Sequence, residues 1–199
     1  MQRMVALTAE QIVERHPALV VVGGSAGAVQ VLQRLTSALT TSFSPAMVIV
    51  LHMPPGSRGV FHELLAAPSR PTMKIAEDKE PIAPGRIYFA APGYHLLVEG
   101  DSTFALSLDE LVHFSRPSID VLFETAAEAY GDRALGVILS GANADGAAGL
   151  RAIAEAGGST VVQRPETAEV RVMPEAALKA CGDSYVADAE AIAQLLASL

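Results

Sequence analysis

Short, fully apolar runs alternate along this chain with segments whose apolar residues recur at helical spacing. Three of the runs are of strand length and predict buried strands at residues 18–22, 46–51 and 135–139, and residues 159–162 predict a further strand. The helical spacing predicts helices at residues 28–39, 60–67, 117–130, 146–156, 174–180 and 187–198. Buried strands alternating with helices are typical of a doubly wound α/β fold, with a mainly parallel sheet and helices on both faces.

The middle of the chain departs from this alternation. Three shorter β-type segments lie at residues 73–76, 86–90 and 94–99. Because Pro92-Gly93 stands between the last two, these two segments are predicted to pair as an inserted β-hairpin. Residues 1–17 predict an N-terminal extension of one or two helical turns, and residues 18–199 predict a single globular domain.

Composition narrows the class of protein. Half of the 199 residues are hydrophobic and 18% are charged, which excludes a disordered chain. No apolar run is long enough for a membrane helix, and Cys181 is the only cysteine, which fits a reducing compartment. We therefore expect a cytoplasmic protein without membrane insertion. The net charge of −8 and the lack of a basic run argue against a nucleic-acid partner.

The first apolar run leads into a candidate nucleophile. Residues 21–27 read VVGGSAG, which places Ser25 in a G-x-S-x-G motif between a predicted strand and a predicted helix. Glycines allow the sharp turn that exposes a nucleophilic serine, and the backbone N–H of Ala26 could stabilise an oxyanion. A turn that only packs, or one that cradles a phosphate, is the alternative. Dinucleotide binding requires G-x-G-x-x-G, which is not present here.

The second long apolar run ends directly in His52. Parallel sheets bind ligands at the carboxyl ends of their strands, and the other four histidines lack this placement. A lone histidine here would more often cap a strand. Beside Ser25 on a neighbouring strand, however, His52 is predicted to act as a general base.

The third run leads through a small-residue loop to Asp145. Asp145 could cap the helix that follows, or it could orient His52 as the acid of a triad, and the two roles can coexist. No histidine or cysteine spacing indicates a metal site, and no phosphate-binding loop of the G-x-x-x-x-G-K type is present. The residues therefore predict a serine hydrolase that uses Ser25, His52 and Asp145, with no metal and no cofactor.

Several sequence blocks from about residue 18 to about residue 187 resemble the catalytic domain of CheB-type protein-glutamate methylesterases of bacterial chemoreceptor signalling. In chain order the blocks are VVGGSAG (21–27), LHMPPG (51–56), ED (77–78), PGRIY (84–88), APG (91–93), RPSIDVLF (116–123), DGAAGL (145–150) and MP (173–174). The resemblance implies hydrolysis of glutamate γ-methyl esters on chemoreceptor helices with release of methanol, and deamidation of glutamine at similar sites.

The resemblance also implies roles for residues and leaves two alternatives. It carries over Ser25 as nucleophile, His52 as base and Asp145 as acid. It places oxyanion donors at the backbones of Ala26 and Ala142, and it places Arg116 in the substrate cleft. The cleft departs from the usual pattern at residues 26–28 (AGA) and 140–143 (SGAN). A serine esterase of another substrate and a non-catalytic receptor-binding module therefore remain alternatives.

The family's regulatory form carries an N-terminal phospho-receiver domain ahead of the catalytic domain. Residues 1–17 are far too short for such a domain. We therefore expect no phosphorylation control within this chain. Its oligomeric state is not predicted by any pattern in the sequence.

Overall fold

The structure is a computed structural model, and it describes residues 7–53 and 71–199. The predicted helix at residues 60–67 lies outside the described residues. The strands are β1 (Leu19–Gly24), β2 (Ala46–Leu51), β3 (Thr72–Ile75), β4 (Arg86–Phe89), β5 (His95–Val98), β6 (Phe104–Ser107), β7 (Ala134–Ile138), β8 (Ser159–Gln163) and β9 (Tyr185–Ala187). The described helices are α1 (Ala9–Glu14), α2 (Ala28–Ala38), α3 (Ile119–Tyr130), α4 (Ala147–Glu155), α5 (Val172–Ala180) and α6 (Ala189–Ala197).

Seven of these strands form one parallel sheet in the order β3-β4-β2-β1-β7-β8-β9. The doubly wound α/β class predicted from the sequence is confirmed. Strand β1 lies at the centre, between β2 and β7, and all residues of these three strands are buried. The strand order reverses direction at β1, which is where open α/β sheets form their ligand crevices.

The sheet separates two hydrophobic cores, because successive side chains of a strand point to opposite faces. Leu19 and Val21 of β1 belong to the core covered by α3, α4 and α5. Val20 and Val22 belong to the core covered by α1, α2 and α6. The longest described helix, α3, has 12 residues, and no helix in the described ranges combines the length and apolarity needed to cross a bilayer.

The predicted hairpin partner was wrong. Strand β4 runs parallel to β2 and β3 inside the main sheet, and β5 pairs antiparallel with β6 in a separate two-stranded sheet. The burial of β4 explains the error, since Tyr88 and Phe89 point to opposite faces and both have no exposed surface. A strand covered on both faces belongs in the sheet interior. The turn at Pro92-Gly93 therefore joins two sheets.

The described part of the N-terminal extension packs on the domain. Thr8 begins α1 with a capping box, in which its side chain accepts from the backbone of Gln11 and the Gln11 side chain accepts from the backbone of Thr8. Ile12 of α1 is fully buried in the core shared with α2 and α6. Arg15 donates a 3.1 Å hydrogen bond to the carbonyl of Gly157. The burial of Ile12 and the hydrogen bond of Arg15 hold this short helix on the domain.

Candidate active site

Ser25, His52 and the loop that carries Asp145 follow the ends of β1, β2 and β7. Two backbone hydrogen bonds join these ends. The His52 N–H donates to the Gly24 carbonyl at 2.9 Å, and the Ser25 N–H donates to the Ser140 carbonyl at 2.9 Å. The parallel register continues past the last paired residues, so the three strand ends meet at one edge of the sheet.

The imidazole of His52 contacts the carboxylate of Asp145. Nε2 lies 2.9 Å from Oδ2, and the side chains are 11% and 0% exposed. The oxygen lies off the direction of the ring N–H, so the contact is close without being an aligned hydrogen bond. Because Nε2 faces the carboxylate, Nδ1 is the ring nitrogen of His52 that does not contact Asp145. Among the described residues, the Ser25 hydroxyl makes no hydrogen bond with His52 or with any other group. A bond between a nucleophilic serine and its base often tightens only with substrate bound.

The carboxylate of Asp145 sits on the N-terminus of α3. Its Oδ1 accepts from the Ser118 hydroxyl at 2.8 Å and from the Asp120 N–H at 2.9 Å, and its Oδ2 accepts from the Ile119 N–H at 2.8 Å. Free N–H groups and the helix dipole favour an anion at this position. The following helix α4 begins after Gly146 with no side-chain cap. Asp145 therefore caps a helix that precedes it in the chain.

The hydrogen bonds of Asp145 decide its charge. Burial works to raise the pKa of Asp145, but the contact with His52 and the donors at Asp120, Ile119 and Ser118 outweigh it and lower the pKa below its ordinary value. The carboxylate is therefore ionised at neutral pH. An ionised acid beside His52 can stabilise the imidazolium that forms when the ring accepts a proton.

Two glycines allow α3 to approach this edge of the sheet. A Cβ on Gly23 would overlap Cγ2 of Ile119, and a Cβ on Gly146 would lie 2.6 Å from the same atom. Gly146 also has a φ of +95°, a conformation that favours glycine. Ile119 thus fits between β1 and the Asp145 loop. This packing brings its backbone N–H within reach of the carboxylate.

The predicted oxyanion donors lie on loops next to Ser25. The backbone N–H groups of Ala26 and Ala142 have no acceptor within the described part of the chain, and both residues are exposed. The Ser140 hydroxyl fixes the surrounding backbone, because it donates to the Ala26 carbonyl at 2.7 Å and accepts from the Val170 N–H at 2.9 Å. Both donors are thus available to a ligand.

Arg116, which the resemblance places in the substrate cleft, contacts its own loop. One Nη1 atom donates to the carbonyls of Leu108 and Asp109, at 2.8 Å each. The residues that the sequence reasoning missed are Ser118 and Asp120 at the start of α3. Ser118 carried a readable signal, since a serine after a proline and before an apolar helix is a typical N-cap. Nothing in the local sequence indicated its hydrogen bond to Asp145, which lies 27 residues further along the chain.

Asp120 is a second buried carboxylate at the same helix end. Its Oδ1 accepts from the Gly149 N–H at 2.7 Å, and its Oδ2 lies 3.2 Å from Nε2 of His113. Burial and then the negative charge of Asp145 raise the pKa of Asp120, while the Gly149 N–H and His113 work to lower it. The raised pKa sets Asp120 apart from Asp145.

His113, Asp120 and Asp145 each present one possible metal-ligand atom, and these atoms lie within 4.8 Å of one another. Both oxygens of Asp145 already accept hydrogen bonds, and those of Asp120 contact Gly149 and His113. A cation would have to displace these partners. We therefore assign no metal to this cluster.

Comparison with known proteins identifies related chains. A family model described as CheB methylesterase matches residues 20–196. A Leptospira interrogans protein is 48% identical over 180 residues, covering 90% of this chain and 93% of that protein. A protein-glutamate methylesterase/protein-glutamine glutaminase of Salmonella typhimurium is 36% identical over 179 residues, covering 88% of this chain and 51% of that protein.

A solved structure has the same fold. The crystal structure of the Thermotoga maritima CheB methylesterase catalytic domain superposes with a TM-score of 0.83 at 30% sequence identity. The match covers 91% of this chain and 97% of that domain. Together with the matched relatives, it confirms the resemblance drawn from the sequence blocks.

Proposed function

Because the chain belongs to the CheB methylesterase family, we propose that it hydrolyses glutamate γ-methyl esters in a protein substrate, with Ser25 as nucleophile, His52 as base and Asp145 as acid. The contact between His52 Nε2 and Asp145 Oδ2, at 2.9 Å beside the strand end that carries Ser25, is the observation on which this proposal rests. A base, an ionised acid and a strand-end serine at one sheet edge are the parts that a serine hydrolase needs.

The proposed reaction begins with attack of the Ser25 hydroxyl oxygen on the ester carbonyl. Nδ1 of His52 accepts the serine proton, and Asp145 stabilises the imidazolium through Nε2. The backbone N–H groups of Ala26 and Ala142 stabilise the negative charge that develops on the carbonyl oxygen. The imidazolium then protonates the departing methoxide, and methanol leaves an acyl-enzyme on Ser25.

Water completes the cycle by the same proton transfers in reverse order. Nδ1 of His52 removes a proton from the water, whose oxygen attacks the acyl carbon, and Ser25 leaves as the alcohol. The products are a glutamate carboxylate and the free enzyme. A glutamine side chain in place of the ester would release ammonia in the first step, which is the second activity in the names of relatives such as the Salmonella protein.

The proposed substrate is a methylated chemoreceptor, acted on at its cytoplasmic helices. The name of the Salmonella relative supports a methylated glutamate in a protein as the reacting group. The chemoreceptor is what the resemblance of the sequence blocks implies. The reaction would then take place in the cytoplasm, where the single free cysteine Cys181 would stay reduced.

Replacement of the nucleophile tests the proposal. We expect Ser25→Ala to lower the rate of methanol release from a methylated receptor fragment by about a thousandfold or more, since the remaining groups supply only binding and oxyanion stabilisation. Ser37→Ala, on the far end of α2, is the matched control and should keep full activity. Near-wild-type release by Ser25→Ala would overturn the proposal.

Two further readouts separate the alternatives. Labelling of Ser25 by a fluorophosphonate probe together with no methanol release from the receptor would favour an esterase of another substrate. Absence of labelling, with retained binding of the receptor fragment, would favour a non-catalytic receptor-binding module.

A further inference from the structure

The loop between β6 and α3, residues 108–116, exposes an unusual number of apolar side chains. Six large hydrophobic side chains of the described residues are exposed, and three of them, Leu108, Leu111 and Phe114, lie in this loop. Phe114 is 98% exposed. Tyr94, a fourth member, directly precedes His95, whose ring contacts the loop at Glu110. We refer to Tyr94, Leu108, Leu111 and Phe114 as the apolar patch.

The loop beneath the apolar patch is held by its own polar groups. Arg116 donates to the carbonyls of Leu108 and Asp109, and Nε2 of His95 lies 2.9 Å from the carbonyl of Glu110. The backbones of Val112 and Ser115 exchange two hydrogen bonds, at 3.2 and 2.8 Å. Backbone carbonyls of the loop thus face the donors on Arg116 and His95, while the large apolar side chains point to solvent.

The tip of the loop has an unfavourable backbone conformation. His113 and Phe114 have φ values of +48° and +60°, in the left-handed region that non-glycine residues rarely adopt. Such conformations are maintained when surrounding contacts fix them, and they are frequent at ligand-binding sites. Here His113 contacts Asp120 at 3.2 Å, and the neighbouring Phe114 is exposed.

The loop is fastened to the active site at two points. His113 contacts Asp120, and Nδ1 of His95 accepts a 3.2 Å hydrogen bond from the Ser118 N–H. Asp120 and Ser118 are also donors to Asp145, through a backbone N–H and a hydroxyl. The apolar patch therefore borders the helix end that holds the proposed catalytic acid.

We propose that the apolar patch is the docking surface for the substrate helix that carries the glutamate methyl ester. This inference rests on the proposed function. A glutamyl side chain is short, so the helix that carries the ester must lie close to the cleft, and its neighbouring side chains must contact the surface around it. The patch is apolar and lies on the loop that His95 and His113 link to the start of α3, where Asp145 is held, and such a surface fits an amphipathic helix face.

Charge indicates why the esterified form of the helix is the occupant. A methyl ester is neutral and ends in an apolar group, whereas the product is a carboxylate. Asp109 and Glu110 are exposed within the loop, and the whole chain carries a net charge of −8. Esterification removes one negative charge from the substrate helix, so the esterified helix is repelled less by Asp109 and Glu110 than the demethylated helix is.

The test compares a protein substrate with a small one. Phe114→Asn keeps a residue type that tolerates positive φ and removes the aromatic ring. We expect its KM for a methylated chemoreceptor cytoplasmic fragment to rise about tenfold, the size typical of an interface anchor, with kcat unchanged. Hydrolysis of p-nitrophenyl acetate should stay at the wild-type rate. Leu111→Ser is a second variant with the same expected pattern.

Ile75→Thr is the matched control, because Ile75 is an exposed apolar residue on the edge strand β3, and it should change neither substrate's kinetics. An unchanged receptor KM in both patch variants would overturn the docking surface, as would an equal loss on both substrates. A wild-type dimer in sedimentation that Phe114→Asn dissociates would assign the patch to a second copy and overturn it too. Failure of the proposed function is distinguishable, because the wild-type protein would then release no methanol.

Discussion

The surroundings of Asp145, which we call the Asp145 pocket, and the apolar patch bury opposite kinds of groups. In the pocket, a fully buried carboxylate is surrounded by donors from Ser118, Ile119 and Asp120 and by the His52 ring. In the patch, the backbone polar groups are satisfied beneath the surface and the large apolar side chains remain in solvent. The first turn of α3 borders both regions.

This difference separates two kinds of residue effect. Removal of a partner from a buried charge leaves the charge uncompensated, so changes in the pocket should be large and should act on kcat. An exposed apolar side chain contributes only when a partner covers it, so changes in the patch should be moderate and should act on KM. The Phe114→Asn and Leu111→Ser variants test the patch, and the predictions below test the groups around Asp145, from the largest expected effect to the smallest.

The largest effect is expected for Asp145→Asn. An amide cannot stabilise the His52 imidazolium as a carboxylate does, and its NH₂ group faces donors at α3 instead of an acceptor. We expect kcat for receptor demethylation to fall by about 10³–10⁴-fold, as for the corresponding change in a serine protease triad. The free energy of unfolding should fall by about 1–3 kcal/mol, because the buried amide NH₂ group would face the N–H donors of α3 without an acceptor.

Methanol release and urea unfolding measure these two quantities. Asp132→Asn makes the same chemical change at an exposed position in the turn before β7, and it should alter neither. Retention of more than a tenth of the wild-type kcat by Asp145→Asn would remove Asp145 from the catalytic role.

A smaller effect is expected for Ser118→Ala. This change removes one of the three donors that hold the Asp145 carboxylate, and a hydrogen bond to a charged group contributes about 1.5–3 kcal/mol. We expect kcat to fall about tenfold and the free energy of unfolding to fall by about 1–2 kcal/mol. Steady-state kinetics with a methylated receptor fragment and urea unfolding measure the two changes.

Ser184→Ala separates stability from positioning in that experiment. Ser184 is equally buried, and its hydroxyl donates to the Cys181 carbonyl at 3.0 Å, away from the three strand ends. This control should lose comparable stability while kcat stays at the wild-type value. Equal losses of kcat in both variants would show that Ser118 has no specific effect on Asp145.

The sequence predicted the parts of the site that depend on local pattern. The strands before Ser25 and His52 were predictable because they are continuous apolar runs, and buried parallel strands end at a common edge of the sheet. Strand β9 was not predicted, because the three residues Tyr185–Ala187 are too few to show a period, and the helix after them begins only at Ala189.

The hydrogen-bond partners of Asp145 could not be predicted from the sequence for a different reason. A helix N-terminus binds whichever anion the fold brings to it, and here Gly23 and Gly146 allow Ile119 to approach the sheet closely. That contact joins three distant segments, so no spacing within one segment encodes it. The same applies to His95, which the strand-end argument set aside and which links Ser118 to the 108–116 loop.

The smallest expected effect contrasts the two carboxylates at the start of α3. The lowered pKa of Asp145 gives stability that is present above the ordinary value of 3.8 and is lost as the pH falls through the folded-state pKa. The raised pKa of Asp120 has the opposite sign. Its contribution is present below 3.8 and is lost as the pH rises through the raised folded-state pKa, so the ionised Asp120 lowers stability at neutral pH.

We expect Asp120→Asn to gain stability relative to the wild type as the pH rises from 4 to 7, by up to about 1 kcal/mol. The asparagine Oδ1 can still accept from the Gly149 N–H, and loss of the half-exposed His113 contact costs little. Urea unfolding at pH 4, 5, 6 and 7 measures the difference, with Asp132→Asn as the control. A difference that is constant with pH, or a variant that becomes relatively less stable toward pH 7, would contradict the prediction that Asp120 and Asp145 change the free energy of unfolding with pH in opposite directions. In that case the ionisation of Asp120 and the ionisation of Asp145 would not have opposite effects on stability.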